Sequence, residues 1–162
     1  MTISRLIPGF GIFLSMALCQ APPTPTLTVE GIGGKSVVLS AADLAKLPRK
    51  TFTASVHGSP AAFEGVLLSD VLGKAEMPAG EKFQGTAASY YVVVEAKDAY
   101  RAVFAWAELD ATVAERPVYL VTKKDGKALS EKDGPFETIV PGEKRDSRWV
   151  RQVTALKVKK AN

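Results

Sequence analysis

The sequence has 162 residues, is 46% hydrophobic and 23% charged, and carries a formal net charge of +4. That length suits one domain, and that balance supplies a packed core, which excludes a disordered chain. The positive excess is small and sits largely in "VTKKDGK" and "KVKKAN", so it lacks the aromatic-interleaved basic patch of a nucleic-acid binder.

Residues 1–21 read as a secretory signal peptide. Arg5 supplies a positive start, and Leu6 to Leu18 form an apolar run broken by Pro8 and Gly9, too short and too interrupted for a membrane span. Ala17-Leu18-Cys19 has the small-x-small pattern of a cleavage site. A lipid anchor on Cys19 is the alternative, but Leu18 stands where lipoprotein processing wants a small residue. Cys19 is the only cysteine. A mature domain over 22–162 therefore has no disulfide and no thiolate for metal binding or nucleophilic catalysis. Export without disulfides points to a bacterial periplasm. Losing Arg5 leaves a net charge of about +3, a weak attraction for an anionic ligand or an acidic partner.

Within the domain, "TPTLTVEG" and "KSVVLS" flank "GIGG" and predict a hairpin. "GIGGKS" lacks the spacing of a phosphate loop, because the required first glycine falls at Val29. Ser40-Ala41-Ala42-Asp43 is a capping box that starts a short helix, ended by Pro48. "KTFTASVHG" alternates Phe52, Ala54 and Val56 with polar residues, as a strand does. Val66, Leu67, Asp70 and Val71 stand at helical spacing, closed by Gly73. "ASYYVVVEAKD" predicts a central strand, paired with a second over 99–104 across the Lys97-Asp98 turn. "AWAELD" reads as one helical turn, "RPVYLVTKKDGKAL" as a hairpin turning at Asp125-Gly126, and "FETIVP" and "WVRQVTALKV" as the last strands. Many strands with few short helices give an α+β class, mostly β, with a mixed sheet in one compact domain.

Local catalytic signals are weak. His57, the only histidine, stands at a strand end beside Ser55 and Ser59, with no nucleophile elbow around it, and reads as a rim residue. No zinc or calcium spacing occurs. The richer stretch is "GPFETIVPGEKRDSRWVRQV" at 134–153. There, Trp149 offers a stacking face, Asp146 or Glu143 can accept two parallel N–H bonds, and Arg145 or Arg148 can donate to a carbonyl or phosphate. Such a set suits a planar heterocycle, and Gly134 and Gly142 allow close backbone approach. The same residues also read as a charged loop before a strand. Alternation along that strand sets Trp149 and Arg151 on one face, and Val150, Leu156 and Val158 on the other.

"FEGVLLSDVLGKA", "DAYRAVFAWAELD" and "VYLVTKKDGKALSEKDGPFETIVPGEKRDSRWVRQVTALKV" together resemble the molybdopterin-binding domain of the sulfite oxidase superfamily, collinearly over about residues 35 to 158. The resemblance implies a mixed α+β domain with a pterin-binding cleft. Catalytic members ligate molybdenum through a cysteine before the G-V-x-L-x-D-L-L motif, yet the corresponding "TASVHGSPAAFEGV" has none. The chain thus looks like small exported pterin-binding relatives, some similar to periplasmic sensors that signal to a membrane-bound enzyme. On that reading a pterin is the ligand and molybdenum is disfavoured. Trp149 stacks on the ring, Asp146 or Glu143 takes the aminopyrimidine edge, Arg145 and Arg148 donate to oxygens, and His57 lines the cleft wall. Tyr100 and Trp106 are further candidates, although both read more simply as core aromatics. A molybdenum-cofactor oxidoreductase, or an interaction module with a closed cleft and a membrane or redox partner, are the alternatives.

Overall fold

The computed structural model describes residues 24–56, 58–82 and 84–161. Cys19 and His57 lie outside the described residues. Strand β1 (Thr26–Glu30) turns through Ile32–Gly34 into β2 (Ser36–Ser40), the expected hairpin. Helix α1 (Ala41–Ala45) starts where the capping box says it should: the Asp43 amide donates to Ser40 Oγ at 3.2 Å, and the Ser40 amide donates to Asp43 Oδ2 at 3.1 Å. β3 (Arg49–Val56) and β4 (Ser59–Leu67) pair antiparallel, and α2 (Leu68–Gly73) follows. Val66 and Leu67 thus end a strand instead of opening the helix, because Val66 and Leu67 pair with Leu120 and Tyr119 across β4 and the next strand of that sheet. A short apolar run fits both periods, and tertiary pairing decides between them.

β5 (Tyr90–Ala96) and β6 (Arg101–Ala105) form the next hairpin, whose turn places Ala99 at φ 68°. The single turn α3 (Trp106–Leu109) follows. β7 (Tyr119–Lys124) turns at Asp125-Gly126 into β8 (Lys127–Ala128), and β9 (Glu137–Ile139) and β10 (Val153–Lys160) complete the chain. One sheet has the order β2-β1-β10-β5-β6, with β1 and β10 parallel and its other pairs antiparallel, so it is mixed as expected. β5 is interior there, between β10 and β6. The second sheet runs β3-β4-β7-β8, with β9 on β7.

The last strand starts later than the sequence suggests. Trp149 to Gln152 are irregular, Gln152 has φ 49°, and its amide donates to Asp133 O at 2.9 Å instead of joining a ladder. Alternation across β7 divides the packing. Leu120 joins the main core with Leu27, Val92, Phe104, Leu156 and α2, whereas Val121 joins a smaller cluster with Ala54, Ala61, Phe63 and Ile139 on the other face. Trp149 packs against both. Among the described residues no helix is long and apolar enough to cross a membrane.

Candidate functional site

A cleft of about 760 Å³ opens over the smaller apolar cluster. Its floor holds Phe63 from β4 and Glu137 from β9, and Trp149 forms a wall. Phe63 and Trp149 meet edge to face, with ring centroids 6.1 Å apart and planes at 87°. Phe63 also stacks near Phe52, which lies against Tyr119 at 4.1 Å. The indole is fixed further by its Nε1–H, which donates to Val140 O at 3.2 Å. Thr138, wholly buried, clamps the segment carrying it: Oγ1 accepts from the Val150 amide at 2.8 Å and donates to Arg148 O at 3.1 Å. A rigid aromatic wall results on a stretch without regular secondary structure.

Tyr100 reaches the same cleft from the β5–β6 turn. It is half-exposed, and its hydroxyl donates to Ser147 O at 2.6 Å. Asp146 lines the rim, and its carbonyl accepts from the Trp149 amide at 2.8 Å. Trp149, Tyr100 and Asp146 are therefore brought together. Arg151 shares the cleft with Trp149, as alternation suggested, although no strand carries them there.

Other candidates lie elsewhere. Arg148 donates through Nε to Glu143 Oε1 at 2.9 Å and through Nη1 to both oxygens of Glu108, at 3.0 and 3.1 Å; its Nη2 also pairs with Glu143. Its guanidinium lies 4.6 Å from the Phe104 ring centroid. Burial opposes that charge, but the two carboxylates outweigh it and raise the arginine's pKa. Arg148 and Glu143 thus close on each other and on α3, and neither lines the cleft. Arg145 is exposed and does not line it either. Trp106 is fully buried in the main core and donates to Pro78 O at 2.7 Å. Gly134 and Gly142 serve the chain itself: a Cβ at Gly134 would lie 2.9 Å from Leu129 Cβ, and Gly142 holds φ +82° in a turn.

Sequence reasoning missed the charged floor. Glu137 is 8% exposed, and among the described residues no side-chain hydrogen bond or ion pair reaches its carboxyl. Burial pushes it up to about 7, and the nearby Asp133 adds to this, while Arg151 and Lys124 pull the other way. The signal was available as a lone carboxylate inside "FETIV", a run otherwise fit for a core strand. Asp98, Lys124, Lys132 and Asp133 complete the charged lining. The described lining therefore carries four carboxyl groups against three cations, so the chain's positive excess does not gather there.

The family model for the oxidoreductase molybdopterin binding domain matches residues 17–162. The chain belongs to that family. Among solved structures it is similar to the sulfane dehydrogenase SoxCD from Paracoccus pantotrophus, at 21% identity and a TM-score of 0.62, over 83% of this chain. The match spans only 38% of that chain's length, and at this identity it shows the shared fold. No protein of curated function matches the sequence.

The cleft residues fit one part of the family's cofactor. Trp149, Phe63 and Tyr100 offer aromatic surface to a pterin ring, and Lys124, Lys132 and Arg151 could meet oxygen or phosphate. The metal side is unsupported by the donor set. Among the described residues no thiolate lines the cleft and no cluster of three metal-ligating side chains occurs.

Proposed function

We propose that the protein is a non-catalytic binding protein for a pterin or related small heterocycle, exported to the periplasm through its amino-terminal segment and relaying ligand state to a membrane-bound signalling partner. The observation that carries this reading is the cleft itself: an aromatic wall pinned by a hydrogen bond beside floor groups able to hydrogen-bond a ligand, with no thiolate among its described lining residues. Small-molecule sites are concave and largely preformed, and this one sets an aromatic wall among seven charged groups, more than such sites usually carry. In the binding step, Trp149 stacks on the ring and excludes water from one face. Arg151 and the lysines offer donors to carbonyl oxygens, and floor carboxyl groups accept ring N–H donors. The irregular 143–152 segment joins the cleft to the surface, a route for ligand state to reach a partner.

The family name favours a second reading, a molybdenum-cofactor oxidoreductase or a subunit of one. One experiment separates the two. Protein isolated from periplasmic extract without refolding is denatured, and the released small molecules are identified by fluorescence and mass spectrometry, with molybdenum assayed on the same sample. A simple pterin without metal is the expected result. A pyranopterin with stoichiometric molybdenum would return the chain to the oxidoreductases.

A further inference from the structure

We infer that Glu137 determines ligand specificity in the cleft: its ionised carboxylate accepts the paired N–H donors of an amidine-like ligand edge, selecting amino-oxo heterocycles over their dioxo counterparts. The inference rests on the binding-protein reading above and names the chemical class that the cleft takes.

Three observations converge on this residue. Glu137 is more than nine-tenths buried, lines the cleft, and has no side-chain partner among the described residues. Among the described residues no buried side-chain oxygen is sealed without a partner, so the Glu137 carboxyl opens to the cleft, and a ligand that displaces water from it must bring donors in exchange. Second, its position is held firmly. Glu137 pairs with Val121 across β7–β9, while its neighbour Thr138 clamps the wall segment from the opposite face. Third, the other carboxylates considered for this role are placed less well. Glu143 is engaged by Arg148, and Asp146 sits on the exposed rim.

The charge around Glu137 suits a ligand of this kind. Lys124 faces it from β7, Asp133 from the turn before β9, Asp146 and Arg151 from the irregular segment, and Asp98 and Lys132 complete the lining. With acids at least matching cations, the floor gives little net attraction to a multiply charged anion. A carboxylate accepting two parallel N–H bonds makes short, charge-assisted contacts, whereas a dioxo edge turns a carbonyl oxygen toward it. A site built to accept an N–H discriminates strongly against an analogue lacking it. Because the carboxyl titrates near neutrality, such binding draws on the ionised form and weakens as pH falls.

The test uses the purified full chain and two probes, pterin (the amino-oxo form) and lumazine (the dioxo form), followed by tryptophan fluorescence. Wild-type protein is expected to prefer pterin by about tenfold or more at neutral pH. Its affinity for pterin should fall roughly twentyfold from about pH 7.5 to about pH 5.5, with no such fall for lumazine. Glu137→Gln should reduce the preference to within about threefold and flatten the pH profile. The wild-type profile does not depend on any variant folding. If pterin binds but shows no preference, no pH dependence and no response to Glu137→Gln, this inference fails while the binding-protein reading stands. If neither probe binds at any pH, both fail.

Discussion

Two carboxylic acids are buried among the described residues, and the fold treats them in opposite ways. Asp110, after α3, is 3% exposed and fully served: the Thr112 amide and hydroxyl donate to it at 2.8 and 2.6 Å, and the Gly80 amide at 2.7 Å. Burial opposes its charge, yet these donors win and hold its carboxyl below the usual range. Glu137 is nearly as buried, receives no such donors, and is pushed up to about 7. One acid ties a loop down, and the other opens to the cleft. The arginines repeat the contrast. Arg148 is shared between two glutamates against an aromatic ring, whereas Arg151 stands 3.7 Å from Asp133 at the cleft. Asp110 and Arg148 turn inward to partners that hold structure, whereas Glu137 and Arg151 face the cleft.

Replacing the wall should have the largest effect. Trp149→Ala removes a ring bridging two apolar clusters, so it should cost about 3 kcal/mol in thermal or chemical unfolding and abolish pterin-dependent fluorescence changes. Arg148→Ala leaves Glu108 and Glu143 without their shared cation and should cost about 2 to 3 kcal/mol, with ligand affinity unchanged within about twofold. Lost affinity without lost stability would break the division between structure and site.

The two buried acids give the sharpest test, because their amides should move stability in opposite directions. Asp110→Asn turns an NH₂ toward donors and should destabilise by about 2 kcal/mol near neutral pH. Glu137→Gln removes an ionisation that the fold disfavours. A carboxyl raised from 4.5 to about 7 binds more protons folded than unfolded, so it contributes a loss of stability as pH rises through that window. Glu137→Gln should therefore stabilise by on the order of 2 kcal/mol above about pH 7 and have little effect below about pH 4.5. Denaturant midpoints at both pH values check the sign. Arg145→Ala should do least, under about 0.5 kcal/mol and without change in affinity, since Arg145 is exposed and off the cleft.

The division between what was legible in the sequence and what was not follows the range of the interactions. The Ser40 cap, the Asp125-Gly126 hairpin and the α3 turn rest on neighbours a few residues apart, and all are present. The boundary at Val66 and Leu67 rests on pairing with β7, more than fifty residues away in the chain, which local periodicity cannot weigh. The site divides in the same way. Trp149 and Asp146 were visible as a stacking ring beside a carboxylate, and both reach the cleft with Tyr100. Arg148 looked free because its second partner, Glu108, lies 40 positions earlier. Glu137 is hidden in the sequence because it stands in the apolar strand "FETIV", and only the fold shows that its face of the strand lines a cleft.

If the cleft takes a pterin on Trp149, equilibrium titration with pterin, read by calorimetry, will show saturable binding by purified wild-type protein and none by a Trp149→Ala variant that remains folded. Wild-type protein that binds no pterin, or a folded variant that binds as tightly as wild type, would contradict it.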